Sequence, residues 1–115
     1  MTVLVCGGRD YDNPLQVYAT MAVLQESYTV TKVVCGGAKG ADALAQVWAQ
    51  EAGVPCDVWK ADWTKHGRAA GPIRNWAMLR EAKPDLVVAF PGGAGTANMV
   101  SIARATGVPV LVVEQ

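Results

Sequence analysis

Three glycine pairs stand where the backbone could bind an anion. Each pair follows a run of apolar, mostly β-branched residues, in the strings VLVCGG at 3–8, KVVCGG at 32–37 and LVVAFPGG at 86–93. Glycine lets backbone N–H groups approach a ligand closely, and the N-terminus of a following helix favours negative charge. The pattern predicts a cradle for a phosphate group. A glycine needed only for a tight turn remains the alternative for any single pair.

The basic side chains are concentrated in one segment of the chain. Ten Lys and Arg residues balance ten Asp and Glu residues, so the formal net charge is zero. Residues 60–83 carry a net charge of +4, whereas residues 1–59 carry −3 and the remainder carries −1. A domain that binds nucleic acid through its phosphates usually shows an overall basic excess. We therefore expect a local anion site for a small molecule, and we do not expect nucleic acid as a partner.

Several motifs that would indicate other chemistries are absent. The chain has no G-x-x-x-x-G-K-[ST], no G-x-G-x-x-G and no G-x-S-x-G, which disfavours a P-loop, ordinary NAD(P) redox chemistry and a hydrolase nucleophile elbow. Cys6, Cys35 and Cys56 are scattered and His66 is the single histidine, so we expect no disulfide, no metal site and no required cofactor. No apolar run approaches the length of about 20 residues that spans a bilayer, and the first ten residues do not resemble a signal peptide. We expect a cytoplasmic protein with no membrane partner.

Hydrophobic patterning predicts alternating strands and helices. The predicted strands are residues 2–6, 31–35, 56–60, 85–90 and 109–113. The predicted helices are residues 14–27, 40–52, 71–82 and 95–106, with a loop over 61–70. Asn13 and Pro14 are typical of the start of a helix, and Gly53 and Gly107 are typical of the end of one. The alternation predicts a single α/β domain over residues 1–115, a Rossmann-like three-layer αβα fold with a parallel sheet of about five strands.

The expected strand order, 3-2-1-4-5, brings the glycine pairs together. Strands two, one and four are then neighbours, so their turns meet at the carboxyl edge of the sheet, where ligands bind in such folds. The turns and the basic segment supply the predicted phosphate- and ligand-binding residues. These are Gly7, Gly8, Arg9, Gly36, Gly37, Lys39, Gly40, Asp42, Lys65, His66, Arg68, Arg74, Asn75, Pro91, Gly92, Gly93, Gly95 and Thr96.

Several of these side chains have more than one interpretation. Thr96 is predicted either to bind a phosphate oxygen or to cap the following helix. Asp42 either favours the helix dipole, accepts hydrogen bonds from a ribose, or orders the turn before it. Arg74 is predicted to pair with a phosphate or carboxylate, with a surface salt bridge as the alternative. His66 and Arg68 belong either to a flap over the ligand or to a solvated loop.

The sequence also predicts locations and roles for the four tryptophans. Trp48 recurs with the apolar residues of its helix and is predicted to lie in the core. Trp59, Trp63 and Trp76 bracket the basic segment, and one of them is a candidate to stack on a base. A hydrophobic lid or a dimer contact is the alternative for each of these three.

Four of the motifs carry a family resemblance. Residues 7–11 (GGRDY), 36–42 (GGAKGAD), 65–75 (KHGRAAGPIRN) and 91–97 (PGGAGTA) together resemble the YspA-like branch of the SLOG superfamily. That superfamily also contains the Smf/DprA proteins and the LOG "lysine decarboxylase-like" proteins. The resemblance covers nearly the whole chain. It implies a Rossmann-like sheet with a pocket for a nucleotide or nucleotide-derived ligand, and it implies a homodimer.

The LOG enzymes release a base from a nucleoside monophosphate, and their sequence pattern can be compared with this chain to ask whether the catalytic residues are present. Their pattern is Arg-Lys-x-x-Met followed by Pro-Gly-Gly-x-Gly-Thr-x-x-Glu, and Arg74, Met78 and most of residues 91–96 match it. The lysine position is Asn75 and the closing glutamate position is Met99, with Asn98 where a second acid is often found. Because a carboxylate stabilises the oxocarbenium-like state of glycosidic cleavage, we expect binding or sensing without turnover. The alternative is a nucleotide-processing enzyme that uses Asp10 or Asp42 as its acid, together with Arg74.

Overall fold

The computed structural model describes residues 1–114 as one alternating sequence of strands and helices. The strands are β1 (Thr2–Cys6), β2 (Lys32–Cys35), β3 (Cys56–Val58), β4 (Leu86–Ala89) and β5 (Val110–Val112). The helices are α1 (Pro14–Tyr28), α2 (Ala41–Ala52), α3 (Trp63–His66), α4 (Ala70–Ala82) and α5 (Ala94–Ala105). All strand pairs are parallel and the order is β3-β2-β1-β4-β5. The predicted α/β class, Rossmann-like architecture and strand order are confirmed.

The prediction of a loop over residues 61–70 is wrong. The chain forms the short helix α3 there, followed by a single turn of 3-10 helix at Gly67–Ala69, and α4 begins at Ala70. Asp62 caps α3, because its side chain accepts a hydrogen bond from the N–H of Lys65 at 3.0 Å. A helix of four residues is too short to show hydrophobic periodicity, and only the capping aspartate could have indicated it.

The predicted helix boundaries at Asn13, Gly53 and Gly107 have the expected geometry. The Asn13 side chain accepts from the N–H of Gln16 at 3.1 Å, and Pro14 is the first residue of α1. Gly53 and Gly107 have φ angles of 69° and 81°, the left-handed conformation that ends a helix at little cost for glycine. These local signals are readable because they depend on neighbouring residues alone.

The core lies on both faces of the sheet. One cluster joins β1 and β2 side chains to α1 and α2, and includes Val3, Val33, Met21 and Trp48. The other joins the opposite faces of the central strands to α4 and α5, through residues such as Leu4, Val34, Val87, Met78 and Met99. Central strands buried on both faces explain why the predicted runs are continuously apolar. Trp48 is in the core, as predicted.

The sheet register aligns the carboxyl ends of the central strands. Cys6 of β1 is opposite Ala89 of β4, and β2 pairs with the other side of β1. The N–H of Phe90 donates to the carbonyl of Cys6 at 2.9 Å, which extends the pairing to the start of the turn. The three glycine pairs therefore follow adjacent strands at one edge. No helix within residues 1–114 is long and apolar enough to cross a membrane.

Candidate functional site

An open cleft of about 1010 Å³ lies at the carboxyl edge of the sheet. Its walls come from the four connections after β1, β2, β3 and β4 and from the inner side of α4. Most of the residues singled out from the sequence line it. They are Gly7, Gly8, Arg9, Asp10, Gly36, Gly37, Lys39, Asp42, Arg74, Asn75, Pro91, Gly92, Gly93, Gly95 and Thr96.

Four of the predicted residues do not line the cleft. Lys65 and His66 lie in α3 and Arg68 lies in the 3-10 turn, and all three are outside the lining. Gly40 is also outside it, but it shapes the wall: its φ angle is 77°, it precedes α2, and a Cβ there would overlap the carbonyl oxygen of Gly8. The basic segment therefore contributes to the cleft mainly through Lys60 and Arg74.

Lys60 and Tyr11 line the cleft but were not predicted as ligand contacts, and Trp63 was one of three tryptophans named as candidates to stack on a base. Lys60 and Trp63 follow β3, so the rule applied to the other strands, that functional groups follow carboxyl ends, would have found them. Tyr11 is buried against Phe90, with ring centroids 5.5 Å apart, and its hydroxyl donates to the side chain of Gln16. No sequence signal distinguishes Tyr11 from an ordinary core aromatic.

The glycine turn after β2 is already occupied by a carboxylate of the chain itself. Oδ2 of Asp42 accepts hydrogen bonds from the N–H groups of Gly36 at 3.1 Å and Ala38 at 3.2 Å. Asp42 is 5% exposed. Of the three interpretations of Asp42, the ordering of its turn is the one that the hydrogen bonds confirm. The amides of Gly36 and Ala38 therefore bind a carboxylate of the chain itself.

The glycine turn after β1 is used to join its neighbours. The N–H of Gly8 donates to the carbonyl of Pro91 at 2.8 Å, which ties this turn to the one after β4. The Gly8 carbonyl accepts from the N–H of Tyr11 at 3.2 Å and of Ala41 at 3.3 Å. These bonds fix the relative positions of the three turns, as a preorganised site requires.

The turn after β4 differs from the turn after β2 because no carboxylate within residues 1–114 accepts its N–H groups. Helix α5 begins at Ala94, Gly93 is its N-cap residue, and no side chain caps it. Its first hydrogen bond runs from the N–H of Ala97 to the carbonyl of Gly93 at 3.0 Å. The N–H groups of Ala94, Gly95 and Thr96 have no acceptor within residues 1–114. An uncapped helix N-terminus of this kind attracts anions.

Thr96 is not the helix cap, so that alternative is wrong. It lies in the first turn of α5, and the N-cap position belongs to Gly93. The Thr96 hydroxyl Oγ1 lies against Gly92, where a Cβ would overlap it. Thr96 also lines the cleft, as do Ala94 and Gly95, whose N–H groups belong to the same helical turn.

Arg74 is held by backbone carbonyl groups. Its Nη1 donates to the carbonyl of Gly36 at 2.9 Å and to that of Trp59 at 3.1 Å, and its Nε donates to Oδ1 of Asn75 at 2.9 Å. The guanidinium occupies the space in which a side chain at residue 36 would begin. The alternative of a surface salt bridge is therefore wrong. Arg74 joins α4 to the ends of β2 and β3.

Asn75 continues this network to α5. Its Nδ2 donates to Oδ1 of Asn98 at 2.9 Å and to the carbonyl of Gly95 at 3.3 Å. The side chain is 4% exposed and uses both amide hydrogens inside the protein. Asn75 therefore positions the first turn of α5, although it also borders the cleft.

Burial alters the acidity of three groups near the strand ends. It raises the pKa of Asp42 from 3.8 to about 6, against the opposing effects of the Ala38 N–H, the Arg74 charge and the Gly36 N–H. Burial also raises the pKa of the Cys6 and Cys35 thiols to about 12. Both thiols are protonated at neutral pH and are poor nucleophiles. Within residues 1–114, no three His, Cys, Asp or Glu side chains gather as a metal site would require.

The fold and the position of the cleft define a Rossmann-like α/β domain. Among solved structures, the chain is similar to MurG of Acinetobacter baumannii, with a TM-score of 0.64 and 16% identity over 98% of this chain. The match covers 34% of MurG, so this chain spans about a third of that protein's length. At this identity the likeness shows the fold alone.

Sequence comparison then gives the family. A family model described as "YspA, cpYpsA-related SLOG family" matches residues 1–66. The Gene 61 protein of Mycobacterium phage D29 is 38% identical over 117 aligned residues, which cover 95% of this chain and 93% of the phage protein. The chain belongs to the YspA, cpYpsA-related SLOG family, as the four sequence motifs predict.

The raised pKa of Asp42 makes stability depend on pH. The folded protein binds the proton of the Asp42 carboxyl group more tightly than the unfolded chain does. The contribution of this proton to the free energy of unfolding is therefore greatest below pH 4 and is lost as pH rises through 6. A difference of roughly two pKa units corresponds to about 3 kcal/mol. Asp42→Asn should remove this dependence, so the free energy of unfolding of the variant minus that of the natural protein should rise between pH 4 and 7. Urea unfolding at several pH values measures it, and parallel pH profiles for the two proteins would contradict it. Asp10→Asn, on an exposed residue, is the control.

Substitutions of Met99 test whether the protein tolerates the glutamate that LOG enzymes have at this position. Met99 is 1% exposed and packs with Leu4, Met78 and Ile102. Met99→Glu would bury a carboxylate without a partner and should lower the free energy of unfolding by about 3 kcal/mol or more. Met99→Leu, which nearly conserves volume, should cost less than about 1.5 kcal/mol. Urea unfolding compares the two, and a Glu variant as stable as the Leu variant would show that this side chain can reach solvent.

Proposed function

We propose that this chain binds a nucleotide or nucleotide-derived small molecule in the carboxyl-edge cleft and does not turn it over. The observation that carries the proposal is the free N-terminus of α5. Three N–H groups without acceptors within residues 1–114, the positive end of a helix dipole and the Thr96 hydroxyl belong to residues that line the cleft. These are the donors that a phosphate group requires, and no basic excess in the whole chain is needed.

The charges around the cleft support an anionic ligand. Arg9, Lys39 and Lys60 are exposed and line it, and Arg74 adds a fourth positive charge from its inner wall. Two carboxylates, Asp10 and Asp42, also border the cleft, and one of them is buried beneath its turn. The surface cations can pair with ligand phosphates, whereas Arg74 acts through its charge and by holding the turns in place. The cleft is large enough for a nucleotide-sized molecule.

The absence of turnover is proposed from the residues at the LOG catalytic positions. Met99 packs in the core and Asn98 accepts a hydrogen bond from Asn75. Neither side chain can provide the carboxylate that glycosidic cleavage uses. A binding or sensing role fits a cleft whose anion donors are present while these acids are replaced.

A carboxylate at Gly95 provides the sharpest test of the phosphate position. A Cβ at Gly95 would meet nothing within 4 Å, so the backbone can accept a side chain there. Gly95→Asp places a negative charge in the first turn of α5, which should maintain or raise stability while repelling a phosphate. We expect the affinity for AMP and for ribose 5-phosphate to fall at least about tenfold, the effect of roughly 1.4 kcal/mol. Isothermal titration calorimetry measures both.

The matched control is Gly95→Ala, which adds the Cβ without the charge. This variant should bind both ligands nearly as well as the natural protein, and it should be more stable by about 0.5–1 kcal/mol. If the aspartate variant binds AMP as well as the alanine variant does, the phosphate does not lie at the α5 N-terminus. If the natural protein binds neither ligand, the proposed function itself fails.

A nucleotide-processing enzyme is the second candidate function, and Asp42 is the observation that favours it. Burial raises its pKa to about 6, in the range where a carboxyl group can give or take a proton near neutral pH. Oδ1 of Asp42 accepts no hydrogen bond within residues 1–114, so only Oδ2 is committed to the turn. Asp42 would then be the acid or base beside a bound nucleotide.

Chromatography of nucleotides incubated with the protein separates the two candidates. For binding without turnover, we expect AMP and ADP-ribose to be recovered unchanged after prolonged incubation with stoichiometric protein. Release of free base or ribose phosphate would favour the enzyme instead. Loss of that release in Asp42→Asn, with the affinity for AMP retained, would then assign the chemistry to this carboxyl group.

A further inference from the structure

The end of the cleft opposite the phosphate position is bordered by an exposed tryptophan. Trp63 is the first residue of α3, directly after the connection that leaves β3. Its side chain is 60% exposed, and it lines the cleft together with Lys60 and Ala61. An indole ring this open to solvent in the wall of a cleft offers a large flat apolar surface to a ligand.

Hydrogen bonds at both ends of α3 fix the backbone at Trp63. Asp62 caps α3, and the N–H of Gly67 donates to the carbonyl of Trp63 at the other end of the same turn. The ring edge approaches α4 at Gly71, where Cη2 of Trp63 would lie 3.5 Å from a Cβ. The ring edge therefore lies near α4 at a glycine, which leaves most of the tryptophan surface exposed.

The other candidate tryptophans do not meet these conditions. Trp59 is half-buried and packs against the core cluster of α4 and α5, and its carbonyl accepts a hydrogen bond from Arg74. Trp76 is 45% exposed but does not line the cleft. Of the three tryptophans near the basic segment, Trp63 alone combines exposure with a place in the cleft wall.

The strand order sets the distance between the tryptophan and the phosphate position. Trp63 follows β3 and the free N-terminus follows β4, and these strands are separated by β2 and β1. Three strand spacings correspond to about 14 Å. A ligand that reaches both ends must carry a flat ring at one end and a phosphate at the other, joined by a linker such as a sugar.

We propose that Trp63 is the stacking platform for the base of the ligand. This inference rests on the proposed function, because the phosphate position defines the other end of the molecule. Stacking on an indole face accepts any heterocyclic base, so the platform selects nucleotides over sugar phosphates without selecting one base by hydrogen bonding. Lys60 lies on the same wall, and its ammonium group can donate hydrogen bonds to the hydroxyl groups of a sugar linker.

The test compares two ligands and two tryptophans. AMP and ribose 5-phosphate share the phosphate and the sugar, and they differ in the base. Trp63→Ala should weaken AMP binding roughly ten- to hundredfold, the range for loss of one stacked base, and should leave ribose 5-phosphate binding unchanged. Trp76→Ala is the matched control and should change neither affinity. Trp63→Phe should recover most of the AMP affinity, and thermal unfolding verifies that each variant folds.

Every outcome bears on the inference. If Trp63→Ala leaves AMP affinity unchanged, or weakens both ligands equally, Trp63 is not the base platform. If the natural protein binds ribose 5-phosphate as tightly as AMP, the platform is absent while the phosphate site stands. If the natural protein binds neither ligand, both the platform and the proposed function are overturned.

Discussion

The guanidinium of Arg74 holds together the parts of the molecule that form the cleft. Through carbonyl groups it joins α4 to the turn after β2 and to the connection after β3, and through Asn75 it reaches α5. Hydrogen bonds from a charged donor contribute about 1.5–3 kcal/mol, and a charge removed from water needs such partners. The Asp42 carboxylate orders the same turn after β2 by accepting a hydrogen bond from the Gly36 N–H. The charge of Arg74 lowers the pKa of Asp42, against the larger effect of burial, which raises it. The network fixes the elements around the α5 N-terminus, whose first N–H groups have no acceptor within residues 1–114.

Much of this fold could be read from the sequence because its signals are local and repeated. Continuous β-branched runs ending in glycine pairs predict buried parallel strands, and the rules of doubly wound sheets then bring the turns to one edge. The location of the cleft follows from that order. The short α3 was missed because four residues carry no periodicity, and with it the position of Trp63 in the wall.

The roles of individual site residues were harder to predict because each depends on partners distant in the chain. Nothing near Arg74 indicates that the carbonyls of Gly36 and Trp59 will accept its hydrogen bonds, so a free phosphate ligand looked equally suitable. Similarly, the three glycine turns look alike in sequence. In the structure, however, the Asp42 carboxylate accepts a hydrogen bond from an N–H group of the turn after β2, and the Pro91 carbonyl accepts one from the turn after β1. Membership of the YspA, cpYpsA-related SLOG family is established by comparison, whereas the homodimer that the resemblance implies stays a prediction.

The overlap between the Arg74 side chain and the space above Gly36 has a consequence for how this protein can evolve. A residue larger than glycine at position 36 would displace the guanidinium, and a shorter residue at position 74 would leave an empty space and two backbone carbonyls without a donor. Each substitution alone is disfavoured, whereas the pair changed together could restore packing. The two positions, 38 residues apart in the chain, should therefore show epistasis and should covary among descendants of this sequence.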